Sequence, residues 1–136
     1  MRGIRGAITI KNDTEAEIVA AVRWMVTEMI RHNGVTPENV GAVILSATED
    51  ITAAFPAAGA RQIPGFDAVP LFDTRQMAVK DSLPLCIRAL VLADTDKPQK
   101  DIRHVYLGEA ALLRQDLVMK RPDDAEDQEI GRKYLA

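Results

Sequence analysis

Apolar and polar positions alternate along residues 2 to 10, Ile4, Gly6, Ile8 and Ile10 against Arg5, Ala7 and Thr9, which predicts a strand with one face in a core. The period then lengthens. Ile18, Val22, Met25, Val26, Met29 and Ile30 recur at helical spacing. Asn12 to Thr14 start that helix, with Thr14 and Glu17 at capping-box separation, and Gly34 after Asn33 stops it. Trp24 and His32 lie beside or off the stripe, and a histidine at a helix C-terminus is read as a dipole partner rather than a ligand. Thr36 to Asn39 reads as a cap and one turn, and the unbroken apolar run Gly41 to Ala47 as a central strand.

Pro56 opens a short helix through Ala57, Ala58, Ala60 and Arg61 that ends before Pro64. Ala68 to Phe72 is expected to be a short strand, placed at a sheet edge by Pro70, with Asp73 to Gln76 as a polar loop and Met77 to Ser82 as a poorly patterned connection. Cys86 to Ala93 and Ile102 to Leu107 are the last strands, and the turn Asp94 to Pro98 between them leaves a hairpin or a crossover open. From Gln115 to Ala136 charge dominates and periodicity fades, so the tail reads as mobile or conditionally ordered. The order of elements gives an α+β or mixed α/β fold, a mixed sheet packed on one long and one short helix. One long helix covers one sheet face, which leaves the other solvated or covered by another subunit.

That second face carries the chemistry. On the strand Cys86 to Ala93, Ile87, Ala89 and Val91 share one side while Arg88 projects with Cys86 and Leu90 from the other, largely apolar side. A buried guanidinium needs a partner, so Arg88 either has an internal carboxylate or waits for an anionic ligand. Arg5 poses the same question, and Gly3 and Gly6 beside it either let a ligand approach closely or mark a bulge. Tyr106 alternates with His104 on its own strand.

Length and charge narrow the partner. A chain of 136 residues makes one domain, and its 17 Lys and Arg are scattered among 20 Asp and Glu instead of forming the basic stripe that nucleic acid requires. Cys86 is the single cysteine, the N-terminus has no signal-peptide core and no apolar run reaches membrane length, so a soluble, cytoplasmic protein with a small-molecule partner is expected.

With Arg5 in RGIRGAIT, Phe55, Ala57 and Arg61 in AAFPAAGAR, Arg88 in LCIR, Tyr106 in IRHVYL and then Leu113-Arg114, the chain resembles the α/β, trimeric class of chorismate mutases. The resemblance runs from about residue 2 to 117, implying a mutase domain over 1–117 and a charged tail over 118–136. It implies the rearrangement of chorismate to prephenate in aromatic amino-acid biosynthesis, with no cofactor and no metal. It also implies a homotrimeric pseudo-α/β-barrel with sites between subunits, which suits the uncovered sheet face. Arg5 and Arg88 would be the central cations, Arg88 reaching a carboxylate and the breaking ether oxygen. Tyr106 would bind a carboxylate. Phe55, Ala57, Ala58, Leu71, Phe72 and Leu113 would shape the wall, and Arg61, with Arg114, the mouth. Where the family carries a Cys and then a Glu three positions later, this chain has Asp73 and Gln76, which would take over as hydroxyl acceptor or counter-charge and as ether-oxygen donor. The alternative from a different class is a trimeric module that captures a small carboxylate or hydrolyses imines, and loss of chorismate absorbance separates the two.

Overall fold

Thr14 caps the long helix as its spacing predicts, its hydroxyl accepting the Glu17 N–H at 3.2 Å. Glu17 reaches back past the cap to the N–H groups of Lys11 and Asn12. At the other end Gly34, at φ +64°, lets the Val35 N–H close on the Ile30 carbonyl at 3.0 Å, which satisfies a carbonyl the helix itself leaves open. The computed structural model describes residues 1–112. Leu113, Arg114 and the tail 118–136 lie outside the described residues.

The elements run β1 (Arg2–Thr9), α1 (Glu15–Arg31), β2 (Val40–Ala47), α2 (Ala57–Arg61), β3 (Leu71–Arg75), β4 (Cys86–Ala93) and β5 (Val105–Leu107). They form an α+β fold with one five-stranded mixed sheet in the order β3-β2-β4-β1-β5. β4 lies in the middle, antiparallel to both β1 and β2, while β3 runs parallel to β2 and β5 parallel to β1. The chain therefore crosses over from β4 to β5 instead of making a hairpin.

One sheet face packs on α1. Ile18, Val22, Met25, Val26 and Met29 are fully buried with Ile4 and Ile8 of β1, Val43 and Leu45 of β2, and Ile87 and Val91 of β4. Each such side chain taken out of water contributes about 1.5–3 kcal/mol, which is what fixes the helix to this face. Trp24 is buried as well.

β3 and β5 depart most from their expected bounds, both for hydrogen-bonding reasons. Ala68 and Val69 belong to a turn in which the Val69 N–H bonds to the Phe66 carbonyl, so β3 starts only after Pro70 and takes in Asp73, Thr74 and Arg75. An edge strand needs one ladder and tolerates polar side chains on its open side. Residues 102 to 104 are not strand either. Buried Asn33 donates to the carbonyl of Arg103 and accepts the Arg103 N–H, both at 2.8 Å, so a side chain from the end of α1 replaces the ladder there.

α2 is held close to α1 by Gly59, where an added Cβ would sit 2.6 Å from the Val19 carbonyl oxygen and 2.8 Å from the Val22 Cβ. Both neighbours belong to a packed helix and cannot yield. Gly59→Ala should therefore destabilise the protein by about 1–3 kcal/mol, read as a lower denaturation midpoint with an unchanged slope. A midpoint equal to wild type would show that α2 is free to shift.

Candidate active site

The strand register sets the groove on the face away from α1. Ala7 stands opposite both Arg88 and Tyr106, and Arg88 opposite Ser46, so Tyr106, Ala7, Arg88 and Ser46 form one row across four strands. Arg5, Leu90, Ile44 and Phe72 form the next. Small side chains at Ala7 and Ser46 flank the long Arg88, and the result is a depression of about 420 Å³ lined by Arg5, Arg88, Tyr106, Ile44, Ser46 and Leu90 among others. Arg5 and Arg88 are diagonal neighbours on adjacent strands, about 7–8 Å apart at the backbone.

Among the described residues neither arginine has a carboxylate partner. Among the described residues the ion pairs are those of Arg31 and His32 with Glu28, at the far end of α1. The internal-partner reading of the two arginines finds no support among the described residues, and the groove carries two cations with room between them for an anion. Beneath Arg88 lies the buried thiol of Cys86. Burial pushes the Cys86 pKa up, and the adjacent Arg88 guanidinium opposes that shift only in part. A protonated thiol packed with Ala7 and Tyr106 is a floor for the guanidinium, not a nucleophile.

The other expected site residues collect at the opposite edge. Phe55 and Phe72 are 75% and 65% exposed, so neither is a packing anchor within the protomer. Phe72 ends the second row, three strands from Arg5, or about 14 Å at ordinary strand spacing. Ala57, Ala58 and Arg61 lie on α2, which packs on the helix-bearing side against α1 and β3. Leu71 stands opposite buried Val43 and packs on the main core, on the face away from the groove. Asp73, opposite buried Leu45, also points to that side, where its Oδ1 accepts the Ala57 N–H at 3.0 Å. Within one protomer it therefore does not face Arg88. Desolvation raises the Asp73 pKa, against the Ala57 hydrogen bond and the charge of Arg61. Gln76 continues the β3 ladder through its N–H to the Ala47 carbonyl, and its buried Oε1 finds no donor among the described residues. Leu113 lies outside them.

Asp13 carries no sequence signal for the site, yet it ties the loop before Phe55 to the start of α1. Its carboxylate accepts the N–H groups of Thr52 and Ala53 and the Thr52 hydroxyl, and these bonds, the hydroxyl's foremost, hold its pKa below the ordinary value despite some desolvation. Ser46 and Ile44 carry no such signal either, because only the strand register brings them into the groove beside Arg88 and Leu90. Among the described residues no group of His, Cys, Asp or Glu is arranged to hold a metal ion, and no helix is long and apolar enough to cross a membrane.

The family model described as Chorismate mutase type I matches residues 1–117. The chain belongs to the type I chorismate mutases. It is similar to chorismate mutase AroH of Thermus thermophilus, 51% identical over 118 residues that cover 86% of this chain and 96% of that protein. Chorismate mutase AroH of Bacillus subtilis is 41% identical over 121 residues, covering 89% and 95%. A solved chorismate mutase from Clostridium thermocellum superposes with a TM-score of 0.80 at 38% identity, covering 82% of this chain and 99% of that one. This type I chorismate mutase is accordingly an isomerase acting on chorismate.

Asp73 gives a stability test. Because its folded-state pKa is raised, the folded chain holds more protons than the unfolded one between the two pKa values, and stability falls as pH rises through that window. Asp73→Asn keeps an acceptor for the Ala57 N–H and removes the desolvated charge, so its melting temperature at neutral pH should equal or exceed wild type. Asp73→Ala should lose about 0.5–2 kcal/mol, as for a lost helix cap. An Asn variant melting as low as the Ala variant would show that the charge itself is needed.

Proposed function

We propose that chorismate binds in the groove of Arg5, Arg88 and Tyr106, and that each complete site forms between neighbouring copies of a homotrimer. The observation that carries this is the pair of uncompensated arginines on the open sheet face. A dicarboxylate meets their forked donors with charge-assisted bonds that lysines would not match in geometry. The interfacial arrangement is supported by the split of the remaining groups. Ala57, Ala58 and Arg61 lie on α2, on the helix-bearing side of the sheet, with Phe55 just before it, and Phe72 lies on β3, three strands from Arg5. The β3 edge of a second copy, with its two exposed phenylalanines, has the apolar character that the groove's open side needs.

In the reaction the carbon–oxygen bond stretches and negative charge grows on the ether oxygen. Arg88, fixed by its strand and supported by the Cys86 thiol, faces that charge and binds the transition state more tightly than the ground state. Arg5 and Tyr106 hold the carboxylates. The partner's aromatic edge holds the compact conformer in which the reacting atoms lie close. Gln76, with its unmet Oε1, adds a polar contact on the Arg88 face, and Asp73 serves by holding the first turn of α2. The mutase domain ends near residue 117, and the segment 118–136 modulates capture and release at the mouth.

Subunit complementation tests the shared site. Arg88→Ala and Arg61→Ala homotrimers should each be impaired in chorismate turnover, and mixed trimers reassembled from the two should regain activity, because some sites then combine two intact halves. Sedimentation of the wild-type chain should give a trimer. A fully active monomer, or mixtures no more active than their components, would overturn the interfacial site.

A further inference from the structure

Leu85 sits immediately before β4 at φ +48°, a left-handed conformation that an L side chain other than Asn or Asp rarely holds without support. The support is visible. The Asp50 carboxylate accepts the Leu85 N–H through Oδ2 at 3.0 Å and receives the Thr48 hydroxyl on Oδ1. Thr48 Oγ1 in turn accepts the Cys86 N–H at 3.1 Å, while the Thr48 N–H donates to the Cys86 carbonyl at 3.0 Å. From the other side, the Ile10 N–H bonds to the Leu85 carbonyl at 3.0 Å. Residues 85 and 86 are thus gripped from both flanking strands, just where the chain turns into β4. Arg88 lies two residues on, on the same strand face, with its guanidinium against the Cys86 side chain.

We propose that Asp50, acting with Thr48, is a positioning residue for Arg88: it locks Leu85 in the left-handed conformation and so fixes the backbone from which Cys86 and Arg88 project into the groove. The proposal rests on Arg88 acting in the chemical step. Asp50 has no role in binding substrate. It acts through a backbone amide, and it is needed because Leu85, unlike glycine, does not enter this conformation unaided. Leucine is kept there by its side chain, which packs against the main core.

Double-mutant cycles in the full-length chain test this through kcat and KM for chorismate. Asp50→Ala should lower kcat by about 10- to 100-fold, the scale expected when a reacting group is displaced by a fraction of an ångström to an ångström, with little change in KM. In the Leu85→Gly background the same substitution should cost much less, since glycine holds the conformation without the clamp. Leu85→Asn, which also tolerates it, serves if the glycine variant folds poorly. In the Arg88→Ala background Asp50→Ala should cost nothing further. The proposal is overturned if Asp50→Ala leaves kcat at the wild-type level, if its effect persists undiminished beside Leu85→Gly or Leu85→Asn, or if it lowers kcat equally with and without Arg88. Failure of the underlying reading shows separately, as an Arg88→Ala single variant that keeps its kcat.

Discussion

Two arginines on adjacent strands of a largely apolar sheet face, with no carboxylate among the described residues to neutralise them, are the constraint on which the rest of this protein turns. Such an arrangement sets two like charges on neighbouring strands, both exposed to water in the protomer. It persists because everything else secures it. The opposite face of the same strands is locked to α1 by Ile4, Ile8, Ile87 and Val91, so β1 and β4 cannot slip or rotate to hide the charges. A slip of one residue would turn Arg88 into the core. The free energy of the apolar face thus holds the polar one in its register.

The same logic explains why a single protomer looks incomplete. The groove has two arginines and a tyrosine among apolar Ile44 and Leu90 and stays open on its outer side, while the opposite edge shows Phe55 and Phe72 exposed. Loops fixed by carboxylates present both halves. Asp13 binds three donors of Thr52 and Ala53 below Phe55, and Asp50 binds Leu85 below Arg88. These acids do not face substrate. They set the backbone that carries Phe55 and Arg88.

Much of this was legible in the sequence where one rule acted alone. The stripe from Ile18 to Ile30, bounded by Thr14 and Gly34, specified α1, and the alternation around Arg88 gave β4 its correct ends and faces. Legibility failed where a distant partner decided the outcome. β3 begins after Pro70 because a turn at Phe66 and the ladder to β2 claim the backbone, and Asp73 becomes part of a strand despite its polarity. Ile102 to His104 alternate like a strand, but Asn33 occupies their hydrogen bonds. Asp73 falls within reach of Arg88 by sequence motif, yet strand alternation sends it to the opposite face, against Ala57. The cationic residues of the site were readable because charge on an apolar face stands out. The acids that fix the neighbouring loops, Asp13 and Asp50, were not, because nothing local marks an acid that binds a backbone amide so far along the chain.

Whether Arg88 acts by its charge on the transition state is read most directly by replacing it with citrulline, which keeps the shape and planar hydrogen-bonding edge but carries no charge. The citrulline enzyme should show a kcat for chorismate lower by about 10² or more, the scale of losing a preorganised donor in a partly apolar site, with KM changed far less. A citrulline enzyme with near wild-type kcat and a raised KM would contradict it, and would make Arg88 a clamp for the ground-state anion.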